Sequence, residues 1–344
     1  MQTTPATNLL NEAQRAEARS VAYDLFARLF LESPTHSTWS SITAVPELER
    51  SLSLTGIDSD RAASDHFHLF GLNVFPYQGM FLDTGGSLGE QQSGRVLACY
   101  QQAGFDLAPD TPAGRIPAGE SPDHIGLELA FLSFLSGAEA DALQDGENLH
   151  VLRIQTLQRD FLDQHVLPWL PVLVQAISQQ GLPFYTELAQ LSLELVSEHH
   201  TALGEGIVVR QAAFALPHLP SLLENEKTGL KDIAAYLLTP AYSGFYLGRD
   251  DIARLGRRRQ LPRGFGGRLQ MLENLLRSAV DYDHLPQLID DLQALMDGWQ
   301  SAYQFYAETE SAWEPFAVAW LERLESTRAI LGTVSAGARQ DGET

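Results

Sequence analysis

From Ile125 to Leu135 the chain reads IGLELAFLSFL, and the apolar residues Ile125, Leu127, Leu129, Phe131, Leu132, Phe134 and Leu135 cover nearly every side of a helix. A helix that is apolar all round is a buried one, so the rest of the chain must wrap around this segment. The residues before it, GESPDH, are polar. Ser121 is expected as the N-cap, Pro122 at the first helical position, and Asp123 in the first turn, where the helix dipole favours a carboxylate. His124 and Glu128 are four apart and within reach of each other. An unpaired buried charge is costly, so this first turn is expected to emerge at a surface or a cleft.

The wrapping segments are also helical. Ala22, Tyr23, Leu25, Phe26, Leu29 and Phe30 share one side of EARSVAYDLFARLFLES. VLRIQTLQRDFLDQHVLPWL (151–170) repeats apolar residues at three- and four-residue steps, as does FYTELAQLSLELVSEHH through Leu188, Leu191, Leu195 and Val196. After Pro286, Leu288, Leu292, Leu295, Trp299, Ala302 and Tyr306 form another stripe. This spacing buries one face and wets the other. Neither hairpin strands nor alternating strands and helices are visible, so the expected class is all-α.

Two loops interrupt the pattern. FPYQGMFLDTGGSLGE (75–90) has loop punctuation but carries Phe75, Tyr77, Met80 and Phe81, too much apolar surface for a free linker. FDLAPDTPAGRIPAGE leads into the polar turn. After His200 the chain becomes irregular, with Pro217 and Pro220, which puts a domain boundary near 205. A helical region is expected over 206–334 and a disordered tail over 335–344.

The 344 residues hold 44 acidic against 23 basic side chains, a net charge of -21. That surplus repels nucleic acid and anionic membranes and favours cationic partners. Cys99 is the single cysteine, which rules out a disulfide framework and a multi-cysteine metal site within one chain. No signal-like start is visible, and no apolar run reaches the roughly 18 residues that span a bilayer. A cytoplasmic setting is the expectation.

Three readings fit the polar turn. Ser121, Asp123 and His124 cap the helix; or Glu120, Asp123 and His124 form an acidic, pH-sensitive lip on a groove for a cationic ligand; or Asp123, His124 and Glu128 hold a metal. The last is disfavoured by geometry, because Asp123 and Glu128 lie about 140° apart around the helix.

The turn and helix resemble the hallmark of the TorD/DmsD/NarJ-type redox-enzyme maturation chaperones: an acidic residue, then Asp-His-Ile/Leu-Gly, Glu-Leu and Phe-Leu. Here these are Glu120, Asp123, His124, Ile125, Gly126, Glu128, Leu129, Phe131 and Leu132. The first helix, the loop PYQGMFLDTGGSLG and the pair FLDQHVLPWL and FYTELAQL look like the family's corresponding parts, and the resemblance covers about residues 15–200. Ser121 intervenes where the family has Pro directly after the acidic residue. Members often stop near the point where this chain reaches residue 205, so the rest is an extension.

The resemblance implies a helical-bundle chaperone domain over 1–205, without catalysis, cofactor or metal of its own. It further implies binding to the precursor of a molybdoenzyme catalytic subunit, at its twin-arginine leader, until the molybdenum cofactor is in place. Asp123, His124 and Glu120 are then the polar lip, with Tyr77 and Phe75 lining the apolar part of the groove and Asp83 a further candidate. Glu128 sits a turn deeper and is expected to anchor His124. A leader with two arginines suits carboxylates, which arginine meets with paired charge-assisted bonds. The client could be a dimethyl sulfoxide, trimethylamine N-oxide, nitrate, selenate or formate enzyme, and the protein a monomer or dimer.

Residues 245–280 hold eight arginines against three carboxylates. They either neutralise the acidic remainder of the chain or form an anion site with Arg257, Arg258, Arg263 and Arg268. No Lys-Ser/Thr follows Gly264, Gly266 and Gly267, nor Gly85, Gly86 and Gly89, so neither run is a nucleotide loop. The competing functions are an enzyme using Asp123, His124 and Glu128, and a helical adaptor docking on a reductase complex.

Overall fold

A computed structural model describes residues 5–56, 58–85, 90–107, 120–204, 214–224, 227–262 and 264–341. Among them the regular structure is all helical, with a single isolated bridge between Tyr77 and His124 and no strand. No helix of the described residues is long and apolar enough to cross a membrane.

The Ile125–Gln144 helix is the centre of the amino-terminal part, and Ile125, Leu127, Leu129, Phe131, Leu132 and Leu135 are all buried. Phe134 is the exception in the apolar run and is exposed. The first helix, Pro5–Leu31, packs along it with the Tyr23, Phe26, Leu29 and Phe30 stripe inward. Polar contacts fix the register of the two helices. Arg19 donates to the buried Glu139 at 2.7 Å, and the Ser20 hydroxyl donates to the Ser133 carbonyl at 2.9 Å. Close approach requires glycine at 126, where a Cβ would stand 2.6 Å from Leu31 Cγ and 2.9 Å from the Ala27 carbonyl.

Asn148–Phe161, Leu170–Ser178 and Pro183–Ala202 close the bundle. The periodicity over 151–170 predicts one helix. The chain instead passes through a π-helical turn, Leu162–Val166, and restarts at Leu170. Pro168 and Pro171 explain the break, since each lacks the N–H that a continuous helix would need. Trp169, between them, is wholly buried.

The carboxy-terminal region adds short helices, then Leu285–Thr309 packed against Glu314–Asp341. Trp299, Tyr303, Trp313 and Trp320 are buried there. This region has no separate core: one apolar cluster runs from Tyr23 through Trp169 to Leu331. Specific bonds join the parts, including Trp320 Nε1 to the Pro168 carbonyl at 2.8 Å and the Asp250 N–H to Asn73 Oδ1 at 2.8 Å. The expected boundary near 205 falls on residues 205–213, outside those described. The closing helix continues to Asp341, through most of the stretch whose composition suggested a disordered tail, and Ser335 is buried in it.

Candidate functional site

The polar turn is pinned to the chain around Tyr77. The Gln78 N–H donates to the Asp123 carbonyl and the Ile125 N–H to the Pro76 carbonyl, each at 2.9 Å. This pairing keeps His124 extended (φ -72, ψ 131), so the helix starts at Ile125 and His124, not Ser121, is its N-cap. His124 Nδ1 accepts the Gly126 N–H at 3.0 Å. Its ring stands edge-on to Tyr77, with centroids 5.0 Å apart. Burial drives the imidazole pKa down to about 3, so it is neutral.

Asp123 is likewise enclosed. Its carboxylate accepts the Gly79 N–H at 2.9 Å and the Ser121 hydroxyl. Burial nevertheless raises its pKa above the ordinary value. The side chains at 123 and 124 are 1% and 4% exposed. They therefore do not form an open lip, because both are spent on backbone amides that fix the turn. Glu120 is half-buried and accepts from the Tyr77 hydroxyl at 2.6 Å. The tyrosine's own pKa is raised by burial and by Glu120.

Glu128 does not anchor His124. It is 0% exposed, and neither carboxyl oxygen has a hydrogen-bond partner among the described residues. The nearby Trp169 indole donates instead to the His165 carbonyl at 2.6 Å. Burial, with Asp123 adding to it, pushes the Glu128 pKa well above the carboxylate range, so the group is held as a neutral acid.

The cleft lies one layer away. It encloses about 1370 Å³ between the amino-terminal bundle and the carboxy-terminal region. One wall is the Glu90–Ala103 helix, through Gln91, Gln92, Arg95 and Cys99, with Asp83 beside it. A second is Asp160, Asp163 and His165 at the end of Asn148–Phe161 and its π turn. The third is Phe214–Pro217 with one face of the closing helix, Pro315–Glu322.

Four carboxylates and one arginine line this space. Asp163 is already matched by Arg159 at 3.2 Å and His200 at 2.8 Å. Asp160 has its pKa raised, first by burial and then by Asp163. Asp83 accepts from Gln92 Nε2 at 3.1 Å through one oxygen, and its other oxygen is buried with no partner among the described residues. Cys99 Sγ is 3.5 Å from His165 Nε2. Burial raises the thiol pKa and lowers that of His165 to about 4, which leaves a neutral pair rather than a thiolate and an imidazolium. Among the described residues, no three His, Cys, Asp or Glu side chains converge as metal ligands.

Of the six residues proposed for the groove, Asp83 alone lines the cleft. Asp123 is connected to it through the backbone. By holding Gly79, Asp123 sets the short helix Gln78–Leu82, and Asp83 directly follows that helix. Gln78 extends the support to His165, with Oε1 3.3 Å from Nδ1. Phe75 is no groove floor: the Arg268 guanidinium covers it at 5.3 Å from the ring centroid, and also covers Tyr246 at 4.8 Å. Asp160, Asp163, His165 and Glu322 were not singled out from the sequence. The i, i+3 spacing of Asp160 and Asp163 marks a shared helix face, but nothing in the sequence says what that face meets.

The arginine-rich stretch is not gathered into an anion site. Arg258 and Arg259 pair with Asp291 at 3.3 and 2.6 Å, and Arg254 with Asp251. Arg268 donates to the Leu247 carbonyl at 3.1 Å, Arg257 is exposed, and Arg263 lies outside the described residues. Internal neutralisation is the dominant arrangement.

Residues 42–175 match the family described as Nitrate reductase delta subunit. The matched region contains the polar turn and the central helix of the amino-terminal part. The chain is 28% identical over 189 residues to the selenate reductase assembly chaperone protein of Thauera selenatis, covering 55% of this chain and 91% of that one. It is 36% identical over 86 residues to the chlorate reductase assembly chaperone protein of Ideonella dechloratans, covering 25% and 43%. With the perchlorate reductase assembly chaperone protein of Dechloromonas aromatica (strain RCB) it shares 32% identity over 81 residues, covering 23% and 35%. No solved structure matches the chain. The family match contains the polar turn and the first two cleft walls, whereas Phe214–Pro217 and Pro315–Glu322 lie beyond it.

Proposed function

We propose that the protein is a dedicated cytoplasmic chaperone for a molybdoenzyme catalytic subunit. It binds the precursor, at its twin-arginine leader or in its cofactor-free form, and assists cofactor insertion before export. The observation that carries this reading is the anionic side of the cleft, Asp83 and Asp160, within the region that matches the family described as Nitrate reductase delta subunit. Arginine side chains entering the cleft meet the carboxylates of Asp83 and Asp160, and Asp83 has one oxygen without a hydrogen-bond partner among the described residues. The net charge of -21 speeds encounter with a cationic segment. Asp123 and His124 serve as positioning residues behind the wall.

Calorimetric titration with a synthetic peptide carrying two adjacent arginines before an apolar run tests the proposal. Asp83→Asn with Asp160→Asn is expected to weaken binding about tenfold or more at low salt while helicity is unchanged. Replacing both peptide arginines by glutamine should have the same effect on the unaltered protein. Affinity indifferent to both changes would overturn the assignment.

A further inference from the structure

We propose that the carboxy-terminal region is a specificity element of the cleft, reading the apolar residues that flank the cationic part of a bound peptide. The inference rests on the chaperone reading above and adds a wall that the family match does not include. The closing helix turns Pro315, Val318, Ala319 and Glu322 toward the cleft. Their spacing of three and four residues places them in one stripe along the helix. Val318 is 59% exposed and gives this stripe an apolar side chain open to the cleft. Glu322, one turn further on, ends this apolar stripe with a carboxylate.

The wall is built before any ligand arrives. Arg323 donates to the Pro217 carbonyl, tying Phe214–Pro217 to the closing helix. Phe214 stands edge-on to the buried Phe316, with centroids 5.2 Å apart. Trp320 reaches across to Pro168, so the helix is locked to the opposite wall as well. At Gly244 the backbone runs against Leu324, where a Cβ would lie 2.7 Å from the Leu324 nitrogen, and this holds the helix close. A preformed wall binds without the cost of ordering its own side chains.

Charge selects the occupant. Asp83, Asp160, Asp163 and Glu322 line the cleft with a single arginine, Arg95. The apolar stripe lies on the carboxy-terminal side and the carboxylates mostly on the other. A peptide whose cationic residues are followed by an apolar run fits this division, with its arginines toward Asp83 and Asp160 and its apolar side chains against Val318.

The test uses the full-length protein and the synthetic di-arginine peptide. Val318→Asp and Glu322→Lys alter exposed positions, and unchanged thermal unfolding confirms that both variants fold. Each is expected to weaken binding about tenfold. The Glu322→Lys loss should shrink as salt is raised, while the Val318→Asp loss should persist. A peptide whose apolar run is replaced by serines should no longer distinguish Val318→Asp from the unaltered protein. If both variants bind normally while Asp83→Asn with Asp160→Asn loses affinity, the chaperone reading stands and this wall has no part in it. If the unaltered protein fails to bind the peptide, both proposals fall together.

Discussion

The Asp123 carboxylate accepts the backbone N–H of Gly79 at 2.9 Å, across 44 residues of sequence. One buried side chain thereby ties the start of the central helix to the segment that presents Asp83 to the cleft. Asp123→Ala would leave the Gly79 amide buried without its acceptor, a loss of about 1–3 kcal/mol. The expected result is a lower urea midpoint with native far-UV dichroism, and weaker peptide binding because Asp83 is no longer held. An Asp123→Ala protein as stable as the parent would remove the positioning role.

Gly126 answers to packing rather than to backbone conformation. Gly126→Ala would set a methyl group 2.6 Å from Leu31 Cγ and 2.9 Å from the Ala27 carbonyl. Overpacking of this kind costs about 1–3 kcal/mol. Adding Leu31→Ala should recover part of the loss and no more, since the carbonyl remains in the way. Chemical denaturation of the single and double variants checks this, and full recovery would show that the carbonyl contact is harmless.

Three buried histidines oppose folding in acid. Burial lowers the pKa of His124 to about 3, that of His165 to about 4, and that of His199 well below the ordinary value. In the unfolded chain each takes up a proton near pH 6.5. Below that pH the unfolded state binds more protons at these three sites, and their contribution to stability falls as pH falls from about 6.5 toward 4. Each histidine contributes up to about 1.4 kcal/mol per pH unit. His124→Asn keeps a side-chain acceptor for the Gly126 amide and removes one titrating group. Its denaturation free energy is expected to drop less between pH 6.5 and pH 5 than the parent's, and a parallel decline would contradict this.

The all-α class and the central helix were legible because their signal is local: an apolar run covering all sides can only be a core helix. The polar turn was recognisable as a motif, yet its side chains point inward. Asp123 and His124 look like surface groups until the Pro76–Gln78 backbone supplies two N–H···O partners for the turn. Those partners come from some 45 residues away, and no periodicity reports them. The cleft was illegible for the same reason. Its walls come from residues 82–85, 91–99, 160–168, 214–217 and 315–322, each an ordinary helix face or loop until the core brings them together. The arginine-rich stretch had its alternatives visible in the sequence, and the deciding fact was the placement of Asp291 beside Arg258 and Arg259.

Glu128 gives the opposite pH signature from the histidines. Its carboxyl is enclosed, both oxygens lack partners among the described residues, and burial holds its pKa well above that of an unfolded glutamate. At neutral pH the unfolded chain ionises this group while the folded chain must keep the proton. Folding is therefore penalised, and the penalty grows as pH rises from the unfolded pKa to the raised folded one. Glu128→Gln has nearly the same shape and nothing to ionise. It is expected to be more stable than the parent at pH 8, with the advantage shrinking toward zero near pH 4.5. Urea denaturation of both proteins across that range reads the difference directly. An advantage that does not change with pH, or a variant that is less stable throughout, would mean that Glu128 is not held neutral in the folded state.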